Sequence, residues 1–182
     1  MKKLNAKQQV AIDALIETFT KKADAVKSVA NKTKVARIVQ LMRKTNVAEL
    51  VLSQNVQVER MTKALYTTQK AMRFFDDVSS EYNDFEKNLT ACVKTAINAK
   101  ALSINVTKDD LRAAISNQDV VVREHVYRTS DRIADESDTQ VNYCINALHT
   151  MNLIKKHSDT IFEVQDCKLL EVAKERLAQV VV

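Results

Sequence analysis

The sequence contains no glycine, no proline and no tryptophan. Average usage would supply about 13 glycines and about 9 prolines in a chain of this length. Their joint absence removes the usual residues for positive φ, tight hairpins and abrupt helix ends. A sheet-rich fold could hardly manage without them, whereas long helices joined through Asn, Ser, Asp and Thr can. The same absence excludes glycine-dependent chemistry: phosphate-cradling loops, dinucleotide fingerprints and nucleophile elbows. The chain therefore reads as a mainly α, multi-helix protein of 182 residues, long enough to bury a core without covalent staples.

Cysteine is scarce as well. Cys92, Cys144 and Cys167 are odd in number and far apart, which suits reduced, partly buried thiols of a cytoplasmic protein better than a disulfide framework. No apolar run reaches membrane-spanning length, and Met1-Lys2-Lys3-Leu4-Asn5 is not followed by an apolar signal core. Metal spacing is missing too. His125, His149 and His157 form neither His-x-x-x-His nor His-Glu-x-x-His, and Cys144 with His149 lacks a second pair. The acidic pairs Asp76-Asp77, Asp109-Asp110 and Asp135-Glu136 fall where caps or connections are expected. The expectation is a non-enzymatic protein with no cofactor and no metal.

Charge is unevenly placed. Residues 1–45 hold eleven Lys/Arg against three Asp/Glu, a net +8, while residues 46–182 hold seventeen against twenty, a net −3. The basic character thus belongs to the N-terminal quarter. Apolar periodicity predicts helices over 5–30 and 34–43, with a break at Asn31-Lys32-Thr33. A further helical stretch runs from 45 to 77, interrupted or not at Ser53-Gln54-Asn55. Lys34 and Arg37 lie on the basic rim of the second helix; they are either an ordinary solvated face or a surface for nucleic acid.

A fourth helix is expected after Ser79-Ser80, with Tyr82, Phe85, Leu89, Cys92, Val93, Ala96 and Ile97 on one face. Met72, Phe74, Phe75, Tyr82 and Phe85 should plug the end of that helical hairpin. Residues 103–106 alternate as an extended link, and Thr107 should cap a short helix over 108–116 with Asp110 three residues on. Val122 and Val126 suggest another helix over 119–127. A boundary near residue 102 divides a basic helical part, 1–102, from a part of shorter elements, 103–182.

The most informative stretch is 137–164. Ser137 and Gln140 have capping-box spacing, and Val141, Ile145 and Leu148 follow at intervals of four and three. Met151, Leu153 and Ile154 lead to Lys155-Lys156, then to the polar His157-Ser158-Asp159-Thr160 and the strand-like Ile161-Phe162-Glu163-Val164. A capped helix running into a hairpin resembles the recognition helix and wing of the winged helix-turn-helix family. The resemblance implies that Val141, Cys144, Ile145 and Leu148 face a three-helix core, with Gln140, Asn142, Tyr143 and Asn146 outward toward bases. It also implies that Lys155 and Lys156 sit at the base of the wing, and that Arg128 and Arg132 touch the DNA backbone from before the helix.

Asn152 stands where the family commonly has glycine, and the wing turn lacks glycine. Residues 119–164 hold five Lys/Arg and eight Asp/Glu, a local −3, where a DNA-binding surface should gather positive charge. The same residues could instead form one or two bundle helices joined through 157–160. Two functions follow: a DNA-associated regulatory or accessory protein binding duplex DNA, or a helical interaction protein acting on a protein partner. The last helix, after Asp166, carries Leu169, Leu170, Val172, Ala173 and Leu177, a face that either packs on the preceding module or forms a homodimer seam.

Overall fold

The computed structural model describes residues 3–23, 29–80, 85–116, 120–122, 125–127 and 138–178. It is mainly helical, as the missing glycine and proline require. Helix α1 spans Ala6–Ala23 and α2 spans Val29–Met42; α3 is Thr45–Ser53, α4 Val58–Lys63 and α5 Leu65–Ser79. Then come α6 (Lys87–Ala101), β1 (Val106–Thr107), α7 (Lys108–Ile115), β2 (Val120–Val122) and β3 (His125–Tyr127). The chain continues through α8 (Asp138–Thr150), β4 (Ile154–Lys156), β5 (Ile161–Val164) and α9 (Lys168–Ala178).

Helix α5 is the central element, packed against α2, α3, α4, α8 and α9. Its Met72, Phe74 and Phe75 are almost wholly buried, each worth roughly 1.5–3 kcal/mol of transfer free energy. Phe85 closes the end of this helix, its ring centroid 6.4 Å from that of Phe74. The expected plug therefore forms from Met72, Phe74, Phe75 and Phe85; Tyr82 lies outside the described residues. Buried residues from Ile12 to Leu177 form one cluster, so the core runs continuously across residue 102. Helix α6, just before that point, packs on β1, β5, α7, α8 and α9 beyond it.

Several expectations need correcting. The break at Asn31-Lys32-Thr33 does not occur: α2 runs straight through these residues. Asn and Thr disfavour a helix by only about 0.7 kcal/mol each, and buried Val35, Ile38 and Met42 outweigh that. The interruption at Ser53-Gln54-Asn55 is real, and a second falls at Ala64 (φ −144°, ψ 77°). Helix α6 begins at Lys87, later than expected, because the Glu86 carboxylate accepts from the Leu89 N–H (2.7 Å) and caps it. The helix over 119–127 is replaced by antiparallel β2 and β3, in register Val120↔Tyr127, Val121↔Val126 and Val122↔His125. Three consecutive valines and a Val-Tyr pair favour extended backbone over the helix suggested by two apolar positions.

Three non-glycine residues take the left-handed conformation: Asn55 (φ 48°), Ser103 (φ 56°) and Asn152 (φ 54°). Two of them meet. The Asn152 side chain donates to the carbonyls of Gln54 (2.7 Å) and Asn55 (3.2 Å) and accepts from Arg60 Nη1 (2.9 Å). Arg60 Nη1 also donates to the carbonyl of His149 (3.0 Å) in the last turn of α8, where a cation is favoured. Beside this clasp, the buried Gln54 amide fits with its nitrogen toward the Met151 carbonyl (3.2 Å) and its oxygen toward the Leu169 N–H (2.9 Å). The α3–α4 turn thus ties the end of α8 to the start of α9.

Helix α9 turns Leu169, Leu170, Ala173 and Leu177 into the core, packing on α3, α5 and α6. Its main apolar row is used within the chain and is not free to form a homodimer seam.

Replacing Asn152 separates backbone from side-chain effects. Asn152→Gly keeps the left-handed turn and loses only the amide contacts, an expected cost of about 1–3 kcal/mol in urea unfolding. Asn152→Ala should cost roughly 1 kcal/mol more, because its Cβ resists positive φ. Equal losses in the two variants would refute this account of the turn.

Candidate nucleic-acid interface

The candidate residues of α8 and the ribbon are positioned by α7, α8 and the small sheet. Thr107 caps α7 as expected: its hydroxyl accepts from the Asp110 N–H (3.1 Å), while the Asp110 carboxylate accepts from the Thr107 N–H (2.7 Å). At the start of α8, Asp138 pairs with Arg112 and lies 3.6 Å from Lys108. Arg112 also binds Asp109 at 2.6 Å. These contacts hold the Asp138 carboxyl below its usual range, the Arg112 hydrogen bond first and the Lys108 charge next. They also neutralise the cations of α7. Ser137, the expected cap, lies outside the described residues.

Along α8 the expected inward residues are inward: Val141, Cys144, Ile145 and Leu148 are buried, and the helix packs on α6 and α7. Cys144 lies against Cys92 of α6; that neighbouring thiol, together with burial, raises the Cys92 pKa. Gln140, Asn142 and Asn146 are exposed. With Asp138 they include one row at intervals of four, Asp138, Asn142 and Asn146.

Tyr143 must be corrected. It is only 9% exposed, and its ring lies 5.5 Å from that of Tyr66 on α5, tilted by 49°. Tyr143, Ala147 and Thr150 make a second buried row on α8. An isolated three-helix module would leave that flank open, but here α5 packs along the helix. The sequence spacing of Tyr143, Ala147 and Thr150, at four and three, was the available sign.

Strands β4 and β5 pair antiparallel, Ile154↔Val164, Lys155↔Glu163 and Lys156↔Phe162. Strand β5 also pairs with β1, Val106↔Phe162 and Thr107↔Ile161, giving the order β1-β5-β4. Ile161-Phe162-Glu163-Val164 is thus a strand, and 157–160 is the exposed loop of a ribbon. The His157 and Ser158 N–H groups both donate to the Ile161 carbonyl (2.9 and 3.1 Å), closing that loop without glycine. Lys155 and Lys156 are exposed at the ribbon's base; Lys156 reaches Asp159 at 2.6 Å. Asn152 supplies the left-handed turn between α8 and β4 in place of glycine.

The remaining residues divide. Arg128 and Arg132 lie outside the described residues. Lys34 and Arg37 are on α2, which packs on α1, α3 and α5, whereas α8 packs on α5, α6, α7 and β4; α5 is the helix shared between them. Among the described residues no group of three His, Cys, Asp or Glu could hold a metal, and no helix is long and apolar enough to cross a membrane.

His149 packs edge-on against Phe162, centroids 5.7 Å apart. Burial, then the Arg60 charge, lowers its pKa below the usual imidazole value, against the opposing effect of a hydrogen bond to the Ile154 backbone. Comparison of the chain with protein-family models, curated proteins and solved structures gives no match in any of the three.

Two measurements follow. A histidine held neutral in the fold but free to protonate when unfolded makes stability fall as pH drops below the unfolded value of about 6.5. Urea stability should therefore decline from pH 7 toward pH 5, and His149→Gln should flatten that decline; an unchanged slope would exclude His149 as its source. The Tyr143 hydroxyl is buried without a hydrogen-bond partner among the described residues, and burial pushes its pKa up. Tyr143→Phe should therefore leave stability unchanged or raise it by up to about 1 kcal/mol. A loss greater than that would reveal a partner for the hydroxyl.

Proposed function

We propose that this chain binds duplex DNA through a winged helix-turn-helix unit. In this reading α6, α7 and α8 make its three-helix core and β4–β5 its wing. Asn142 and Asn146 of α8 read base edges, Gln140 assists at the helix start, and Lys155 and Lys156 contact phosphates. Supporting the reading are the element order α6-β1-α7-β2-β3-α8-β4-β5, with the β2–β3 ribbon inserted between the second and third helices, and the sheet order β1-β5-β4.

The observation that carries it is the row on α8. Asn142 and Asn146 stand one turn apart, exposed, with no side-chain hydrogen bond to any described residue, and followed in the chain by the lysine-bearing ribbon. Exposed amides of this kind can make paired hydrogen bonds to adenine in the major groove. Long-range attraction would come from α2: Lys32, Lys34, Arg37 and Arg43 carry no ion-pair partner among the described residues. In this reading α2 supplies the attraction that α7 does not, since the α7 cations are already neutralised by Asp109 and Asp138.

One observation favours a second reading, a protein-interaction module. Helix α5 covers the Tyr143 flank of α8, narrowing the face that could enter a groove. Beside it Tyr66 is 54% exposed, with the Lys70 ammonium 5.8 Å from its ring centroid, an arrangement suited to a protein partner.

Duplex binding at low salt decides between them. The affinity should fall steeply with added salt, with a slope of about −0.9 per phosphate contacted. Asn142→Ala and Asn146→Ala should each reduce discrimination between preferred and random duplex by roughly 1–3 kcal/mol without altering the salt slope. If the full chain binds no duplex at low salt, the interaction reading takes over.

A further inference from the structure

A cavity of about 440 Å³ lies between the α3–α4 turn, the end of α8, strand β4 and the approach to α9. Its walls include Arg60, Asn152, Lys155, Lys156, Gln165 and Asp166. Among the described elements β4 is an edge strand, paired only with β5, so this wall of the sheet faces the cavity and not another strand.

The charges there are unequal in kind. Asp166 is engaged by Lys100 at 2.8 Å, and Lys156 by Asp159 at 2.6 Å. Lys155 has no ion-pair or hydrogen-bond partner among the described residues. Arg60 makes two hydrogen bonds, both from Nη1, to the His149 carbonyl and the Asn152 side chain. Its Nε and Nη2 donors have no partner among the described residues, on a guanidinium already immobilised at the helix end. A fixed planar fork beside a flexible ammonium is a chemical match for a tetrahedral oxyanion. Seven of the eleven residues lining the cavity carry a charge or a side-chain amide.

We propose that this cavity is a phosphate site in which Arg60 and Lys155 are the principal contacts. The choice of a DNA phosphodiester as occupant rests on the duplex-binding reading; the oxyanion chemistry rests on the cavity itself. Arg60 comes from the N-terminal helices, so the backbone-contacting surface includes a residue outside the α6–β5 unit. A free phosphate compound would use the same donors, and the test separates the two sources.

The test is a pair of titrations of the isotope-labelled full chain, read by NMR, one with inorganic phosphate and one with a duplex of about two helical turns. The signals to follow are the Arg60 Nε–H, the amides of 154–156 and those of Asn142 and Asn146. The expected result is that duplex moves all three groups. Lys155→Gln and Arg60→Gln should then each weaken duplex binding about three- to tenfold, independent of base sequence, and each lower the salt slope by about 1. Saturable shifts with inorganic phosphate alone would support the site with a free phosphate compound as occupant.

Duplex-induced shifts at Asn142 and Asn146, with Arg60 and 154–156 silent in both titrations, would overturn the phosphate site and leave the duplex reading standing. No shifts with duplex anywhere would end the duplex reading, and the inorganic phosphate titration would then decide the site alone. Should Arg60→Gln fail to fold, Lys155→Gln and the wild-type Arg60 Nε–H signal carry the decision.

Discussion

A left-handed turn without glycine must be held by something other than backbone freedom, and where α8 ends the holding is done by a side-chain amide. Asn152 adopts positive φ where α8 ends, and its amide reaches across to the carbonyls of the turn that contains Asn55, itself at positive φ. Arg60 completes the joint by occupying both the Asn152 oxygen and the last turn of α8. Without this joint the α3–α4 turn would lose its hold on α8, and buried Gln54 would lose its place between Met151 and Leu169. The direction of β4, the seating of α9 and the shape of the cavity beside them all follow from it.

The parts of the fold that were legible in the sequence are those governed by composition or by a local rule. Helix content followed from the absence of glycine and proline. The Thr107–Asp110 box, the strand at 161–164 and the left-handed Asn152 were each readable because a local rule governs each of them. The failures share a different character. Asn31 and Thr33 are weak helix breakers whose preference yields to burial of α2 against α5. The valines at 120–122 are ambiguous to a pattern that counts apolar positions, and strand pairing with 125–127 resolves them.

Within the interface, Asn142 and Asn146 were legible as outward residues because the apolar row Val141, Ile145 and Leu148 fixes the opposite side of α8. Tyr143 was not, because its burial depends on α5, a helix more than sixty residues earlier in the chain. Nor was Arg60: a lone arginine on a short helix says nothing of the helix end it caps until the two are brought together. Long-range packing decides how wide a face α8 can present, and no local periodicity carries that information.

Cys92 and Cys144 lie against each other where α6 meets α8, and both are fully enclosed. Their enclosure makes them a matched pair of reporters on breathing motions of the core. Any opening that parts the two helices uncovers both sulfurs in one event, so a thiol reagent should find them together and rarely singly. The rate of that paired modification would measure how often α8 lifts away from its bed.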